Sequence, residues 1–236
     1  MTKPVVATRA EWLAAGRALL EEEKAFTRAR DRLSATRQAL PWVLVEKPYV
    51  FAAPGGRKTL AELFDGRGQL IVYHFMFAPE WNEGCKSCSF WMDNFDNVVV
   101  HLNQRDVSFA AVSRAPLDKL EAFKRRLGWR FTWVSSGACD FNQDFHVSFT
   151  EADKAKGEVE YNFQAQPYRI SDMPGLSVFA KDDAGVIFHT YSCYARGLDL
   201  LKTAYNLLDL VPKGRDEAAL PFPMTWVRLH DLYGVR

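Results

Sequence analysis

Residues 69 to 77, QLIVYHFMF, form a continuous apolar and aromatic run. It has the length of one strand and no polar alternation, which predicts a strand buried on both faces. A second such run, VSFAAVS at 107 to 113, follows after a segment whose apolar residues Phe90, Trp91, Phe95, Val98, Val99 and Leu102 keep helical spacing to about Asn103. Another helix, APLDKLEAFKRRLGW, is introduced by Pro116. Strand, helix, strand and helix in alternation predict a parallel pair with crossover connections. An α/β domain with helices on both faces of its sheet is therefore expected.

The flanking segments fit around that centre. Residues 8 to 40 carry a long helical pattern with capping-box spacing at Thr8 and Glu11 and a seven-residue recurrence of Trp12, Leu19, Phe26, Leu33 and Leu40. Gly16, Glu23, Arg30 and Arg37 interrupt the complementary seam of a coiled coil. The favoured reading is an amphipathic helix, broken at most once, lying on its own domain; the alternative is a homodimer contact. Pro41 ends it. VLVEKPYVFAAPGG reads as short extended pieces with a Gly-Gly turn, and TLAELFDGRG as a short helix ending at glycine. Residues 134 to 172 are polar and turn-rich, and about half of them read as an insertion or long loop. MPGLSVFAKDDAGVIFHTYS then reads as a β-hairpin, GLDLLKTAYNLLDLV as a helix, and the remainder as a loop tail anchored by Phe222, Trp226 and Tyr233. The expected organisation is a helical arm over 1–44, the α/β domain over 45–210 and a packed tail over 211–236.

Composition narrows the function classes. With 30 basic and 29 acidic residues the formal net charge is +1, which offers no long-range field for nucleic acid or anionic lipid. KRRLGWRFTW interleaves bases and aromatics, but without a wider basic footprint it reads as a helix end followed by a half-buried strand. Neither a secretory h-region nor a membrane-length apolar stretch is present, so the cytoplasm is the default expectation. Four cysteines in that compartment argue against a static disulfide framework. Two of them, Cys85 and Cys88 in NEGCKSCSFW, stand where the first buried strand passes through a loop into its helix.

A helix start favours an anion through its unpaired N–H groups and dipole, so Cys85 is expected to ionise readily, with Lys86 adding positive charge and Glu80 and Glu83 opposing. Cys88 falls one turn further in on the same face, at a spacing a disulfide can close. Structural zinc uses the same spacing but needs four ligands, and Cys139 and Cys193 are isolated in sequence. They read as core cysteines, with a second exchange pair as the alternative. His74, inside the buried run, reads as a satisfied core histidine rather than a base for Cys85, and His101, His146, His189 and His230 carry no ligand spacing. Glu80 reads as a solvated loop carboxylate, with a role in accepting the buried thiol's proton as the alternative.

The order of elements, with the dithiol at the strand-to-helix passage, is similar to the thioredoxin fold. TLAELFDGRGQLIVYHFMFAPEWNEGCKSC resembles the segment that carries the active-site cysteines in thioredoxin-like and peroxiredoxin-like proteins. YHFMFAPEW, GCKSCSFW, VSRAPL and YARGLD resemble a bacterial family of thioredoxin-like proteins, domain of unknown function 899, over nearly the whole chain. The resemblance implies Cys85 as attacking thiolate and Cys88 as resolving thiol, with a protein or small-molecule disulfide, or a peroxide, as substrate and no dissociable cofactor. It places Met173-Pro174 at the position of a cis-proline beside the dithiol, where backbone groups would pair with an extended substrate. It also makes Trp81 the nearest counterpart of the tryptophan that touches the first cysteine, and Arg114 a contact for an anion or peroxide, against the plainer reading of a solvated arginine. Lys-Ser between the cysteines departs from the Gly-Pro of thioredoxin, and potentials in this superfamily span about 150 mV, so the motif fixes no direction of electron flow.

Overall fold

The computed structural model describes residues 5–234; residues 1–4 and 235–236, the ends of the expected arm and tail, lie outside the described residues. The chain divides into two compact units, residues 1–41 and 42–236. The first is one unbroken helix, α1 (Arg9–Gln38), opened by the Thr8–Glu11 capping box, in which Thr8 N–H donates to Glu11 Oε2 at 2.8 Å. None of its residues is buried.

The second unit is built on an eight-stranded sheet. In chain order its strands are β1 (Val43–Leu44), β2 (Val50–Ala53), β3 (Gly56–Thr59), β4 (Gln69–His74), β5 (Val107–Ser113) and β6 (Thr132–Ser135), then β9 (Gly175–Lys181) and β10 (Ile187–Tyr194). Between β6 and β9, strands β7 (Glu158–Tyr161) and β8 (Gln164–Pro167) form a separate antiparallel hairpin. The helices are α2 (Leu60–Leu63), α3 (Lys86–Phe95), α4 (Val99–Asn103), α5 (Leu117–Arg126), α6 (Phe141–Asp144), α7 (Glu151–Lys156) and α8 (Thr203–Leu208).

Sheet order is β1-β10-β9-β4-β5-β6-β2-β3. Strands β4, β5 and β6 run parallel, while β9 pairs antiparallel with β4, and β10 with β9. A parallel βαβ unit, a connecting helix and an antiparallel hairpin added beside the first strand constitute the thioredoxin-like core, here extended on both edges.

The absence of alternation in β4 has a direct cause. Leu70 and Val72 enter a core with Phe51, Phe64, Val112 and Phe179 on one face. Tyr73 and Phe75 enter a second core with Cys88, Trp91, Phe123 and Trp133 on the other. Successive side chains point to opposite faces, so a strand covered on both sides must be apolar throughout.

Several expectations are corrected. The helix expected to run from the cysteines to Asn103 is two, α3 and α4, joined by a turn over residues 96–98; Asp96 keeps its backbone bond to Met92 O at 3.0 Å while its carboxylate accepts from Arg130 N–H at 2.6 Å and Phe131 N–H at 3.1 Å. The helix expected after the hairpin is a 3-10 turn (Ala195–Leu201) and the short α8, separated by Lys202 in an extended conformation. Within 134–172 the regular pieces are α6, α7 and the β7–β8 hairpin, with irregular chain between them. In the tail Phe222 is exposed and anchors nothing; Val227 and Leu229 are buried instead. Among the described residues no helix is long and apolar enough to cross a membrane.

Candidate active site

The path from β4 to α3 is fixed by backbone bonds. Phe75 N–H donates to Val112 O at 2.9 Å, which carries the chain past the end of the parallel ladder, and Cys85 N–H returns to Met76 O at 3.0 Å. The loop between lies flat against aromatic rings. A Cβ on Gly84 would stand 2.7 Å from Phe75 Cε1 and 2.9 Å from Phe123 Cε1, so only glycine fits there without displacing a ring. Cys85 is then the N-cap of α3, with extended φ and ψ of −57° and 122°, and its carbonyl accepts from Ser89 N–H at 2.9 Å.

The two thiols are held in opposite electrostatic states. Cys85 is pulled down from the ordinary thiol value to about 7. The Cys88 thiol directed at its sulfur is the largest cause; burial opposes it, and the amides of Cys88 and Ser87 and the Ser87 side chain assist. The amide contribution is the helix-start effect in its local form. Cys88, fully buried, is pushed well up by burial and then by Cys85. Neither is in a disulfide. The Lys86 ammonium donates to Thr225 O at 3.0 Å, and it is not among the main causes of the Cys85 shift.

Behind Cys88 lies Tyr73, fully buried, with its ring fixed among Phe75, Trp91 and Phe95. Its hydroxyl oxygen has no hydrogen-bond partner of acceptable geometry. After burial, the Cys88 sulfur is the group that most strongly raises its pKa.

In front of Cys88 is a cavity of about 310 Å³ whose wall includes Ser87, Trp91, Pro174, Lys202, Tyr205 and Met224. Pro174 thus comes beside the dithiol, as its sequence position implied. Its peptide bond is trans, however, for no cis bond occurs among the described residues. Trans is the ordinary X-Pro state, favoured by about 0.5–1 kcal/mol, and position in the fold does not override it here. Two of the backbone groups there already have partners. Met173 N–H donates to Val147 O at 2.8 Å, and Pro174 O accepts from Tyr161 Oη at 2.7 Å. Gly175 follows because a Cβ there would meet the Tyr194 ring at 2.8 Å.

The other expected residues fall elsewhere. Trp81 is half-buried against the same core as Cys85, but it is not part of the cavity wall. Arg114 is neither solvated nor free for an anion at its Nε, which donates to the buried Asp172 Oδ1 at 2.8 Å. His74 is a satisfied core histidine, with Nε2 2.9 Å from Ser177 Oγ and its ring stacked on Phe141. Cys193 joins the Cys88 face of the sheet and Cys139 the opposite face, so they do not form a second pair. No group of three or more His, Cys, Asp or Glu is placed to hold a metal ion among the described residues. Sequence reasoning missed Tyr73, Lys202 and Tyr205. A signal for Lys202 exists: it lies four residues after Leu198 and three before Tyr205, the spacing of a buried helical face carrying one unexplained charge.

The sequence model of one bacterial family, described as "Bacterial protein of unknown function (DUF899)", matches residues 1–233. No curated protein matches the chain. Among solved structures, a mutant of peroxiredoxin Q from Xanthomonas campestris is similar with a TM-score of 0.48 and 14% identity, covering 71% of this chain and 98% of that one. Peroxidoxin BcpB from Mycobacterium tuberculosis gives 0.41 and 12%, over 69% and 92% of the two chains. The mitochondrial 2-Cys peroxiredoxin from Plasmodium falciparum gives 0.42 and 12%, over 71% and 92%. Likeness at this level bears on neither substrate nor mechanism.

Proposed function

The chain belongs to the bacterial family DUF899, and for it we propose thiol–disulfide exchange with Cys85 as nucleophile and Cys88 as resolving thiol. The observation that carries this reading is the placement of Cys85 as the N-cap of a ten-residue helix with Cys88 buried one turn inside it. A thiol with a pKa of about 7 is part thiolate at neutral pH and is near the optimum for attack, where anion fraction and intrinsic nucleophilicity balance.

In the forward step the Cys85 thiolate attacks one sulfur of a substrate disulfide, forming a mixed disulfide and expelling the other half as a thiolate. Cys88 then loses its proton and attacks Cys85 Sγ, releasing the second half. Two cysteine thiols are oxidised to one disulfide, one substrate disulfide is reduced to two thiols, and the protons pass to the departing thiolates. The high pKa of Cys88 keeps it protonated until a mixed disulfide forms, which delays closure and orders the two attacks.

Mild oxidation of the reduced protein, followed by peptide mapping, tests the reading. A Cys85–Cys88 disulfide is expected, with Cys85→Ser abolishing disulfide reduction and Cys88→Ser accumulating the mixed disulfide. Undiminished reduction by Cys85→Ser would refute it. Peroxide as oxidant in the same experiment separates thiol peroxidase chemistry, which requires faster closure with peroxide than with a small disulfide.

A further inference from the structure

The cavity in front of Cys88 has a charged end that disulfide exchange as such does not need. Lys202 Nζ is buried, its side chain 3% exposed, and lies 3.7 Å over the Trp91 ring and 4.5 Å over the Tyr205 ring. Its polar partners are poor: Asp199 Oδ1 at 3.5 Å and the thioether sulfur of Met224 at 3.1 Å. An ammonium has three N–H donors, and a thioether is a weak acceptor. The one nearby carboxylate is also shared, because Asp199 Oδ2 receives Arg196 Nη2 at 3.1 Å and Arg215 Nη1 at 3.5 Å.

One oxygen of the second acidic group of the wall is engaged by three donors. Glu217 Oε1 accepts from Tyr205 Oη at 2.6 Å, Trp226 Nε1 at 2.6 Å and Met224 N–H at 2.9 Å. Arg196, Lys202 and Arg215 face Asp199 and Glu217, and Arg215 is further paired with Asp209 at 2.7 and 2.8 Å, so the cluster is balanced in charge and Lys202 is the buried cation with weak partners in a space otherwise walled by proline, methionine and aromatic rings.

We propose that this cavity is the substrate subsite for a small disulfide bearing a carboxylate, held with its anion at Lys202 and its sulfurs at the Cys88 end of the cavity, next to the Cys85 N-cap of the same helix. The inference rests on the exchange chemistry proposed above and adds a substrate class to it. About 310 Å³ lies at the small end of ligand pockets, suited to a compact molecule and not to a folded partner's loop. The occupied Met173 N–H and Pro174 carbonyl point the same way, for a strand-like polypeptide finds that N–H already taken. The reaction is the one written above: the bound disulfide receives two electrons from the dithiol and leaves as two carboxylate-bearing thiols.

The test is single-turnover oxidation of the reduced full-length chain, read as loss of titratable thiol on the protein after acid quench and removal of the small thiols released. Three disulfides of like size serve as oxidants: bis(2-carboxyethyl), bis(2-hydroxyethyl) and bis(2-aminoethyl) disulfide. Each rate is divided by that of dithiothreitol with the same compound, which removes intrinsic reactivity. The carboxylate is expected to exceed the neutral compound by about tenfold and the amine to fall below both. Lys202→Met should bring the carboxylate-to-neutral ratio near one, and Lys202→Arg should retain it. Equal normalised rates on the unaltered chain, or a ratio that Lys202→Met leaves intact, overturn the subsite. Failure of all three compounds to oxidise the pair overturns the exchange chemistry itself. As a measurement independent of any variant, hexanedioate should change the tryptophan fluorescence saturably through Trp91 while 1,6-hexanediol does not; identical responses to the two would also refute the assignment.

Discussion

Tyr73→Phe is expected to make the protein more stable and its dithiol slower. The hydroxyl is buried and unpartnered, a state that costs about 1–3 kcal/mol. Deleting it leaves a void of about 15 Å³, which at about 24 cal/mol per Å³ forfeits roughly 0.4 kcal/mol. The balance is a gain on the order of 1 kcal/mol, or about 2–4 °C in Tm for a chain of this size. The same hydroxyl is a donor in reserve. It has no acceptor while Cys88 is a thiol, but it gains one when Cys88 ionises to resolve the mixed disulfide, and the Tyr73 contact acts to lower the Cys88 pKa. Losing a charge-assisted bond of about 1.5 kcal/mol should slow resolution by roughly tenfold. An aromatic disulfide with a coloured leaving thiolate separates the steps, because the first release reports attack by Cys85 and the second reports Cys88. The variant should keep the first rate and lose the second, while its urea midpoint rises. A variant destabilised by more than about 1 kcal/mol would show that the hydroxyl is bonded in the resting state, and unchanged second release would show that it does nothing for Cys88.

Alkylation of Cys85 in the reduced protein should have its midpoint near the value of about 7, falling about tenfold per pH unit below it and levelling above, because only the thiolate reacts. Cys88→Ala should move that midpoint upward, since the Cys88 thiol is the largest stabiliser of the anion; a midpoint that stays put would place the cause elsewhere. Gly84→Ala should cost about 1–3 kcal/mol by forcing a Cβ against Phe75 and Phe123, and should slow the same alkylation by shifting the N-cap, with chemical denaturation and the alkylation rate as the two measurements. Arg114→Met should cost about 3–5 kcal/mol, because it leaves a carboxylate buried with Ser148 Oγ as its remaining partner. Arg114→Met combined with Asp172→Asn should recover much of that loss in denaturant melts; a harmless single variant would mean the carboxylate is not charged in the folded state.

The elements legible in the sequence are those whose burial is set by immediate neighbours. An unbroken apolar run can only be a covered strand, and β4 and β5 occur where the runs are, in register from Gln69 opposite Val107 to His74 opposite Val112. The hairpin of β9 and β10 likewise follows its Asp-Asp-Ala-Gly turn. The breaks between α3 and α4 and at Lys202 left no trace, because apolar spacing continues through both. Asp96 stays helical in its backbone while its carboxylate accepts from amides 34 and 35 residues away, a contact that periodicity does not register. Lys202 shows the same limit in the site itself. Its neighbours in sequence mark it as a charge on a buried face, which in isolation predicts strain, whereas the rings of Trp91 and Tyr205 and the carboxylate of Asp199 turn that position into a held cation. The cysteine pair was visible because its chemistry is local, a sulfur on the first amides of a helix. What the pair meets at its Cys88 side is decided by a wall assembled from Met76, residues 87 to 91, 174, and 195 to 224, and the physical identity of such a wall exists only after the sheet has brought those segments together.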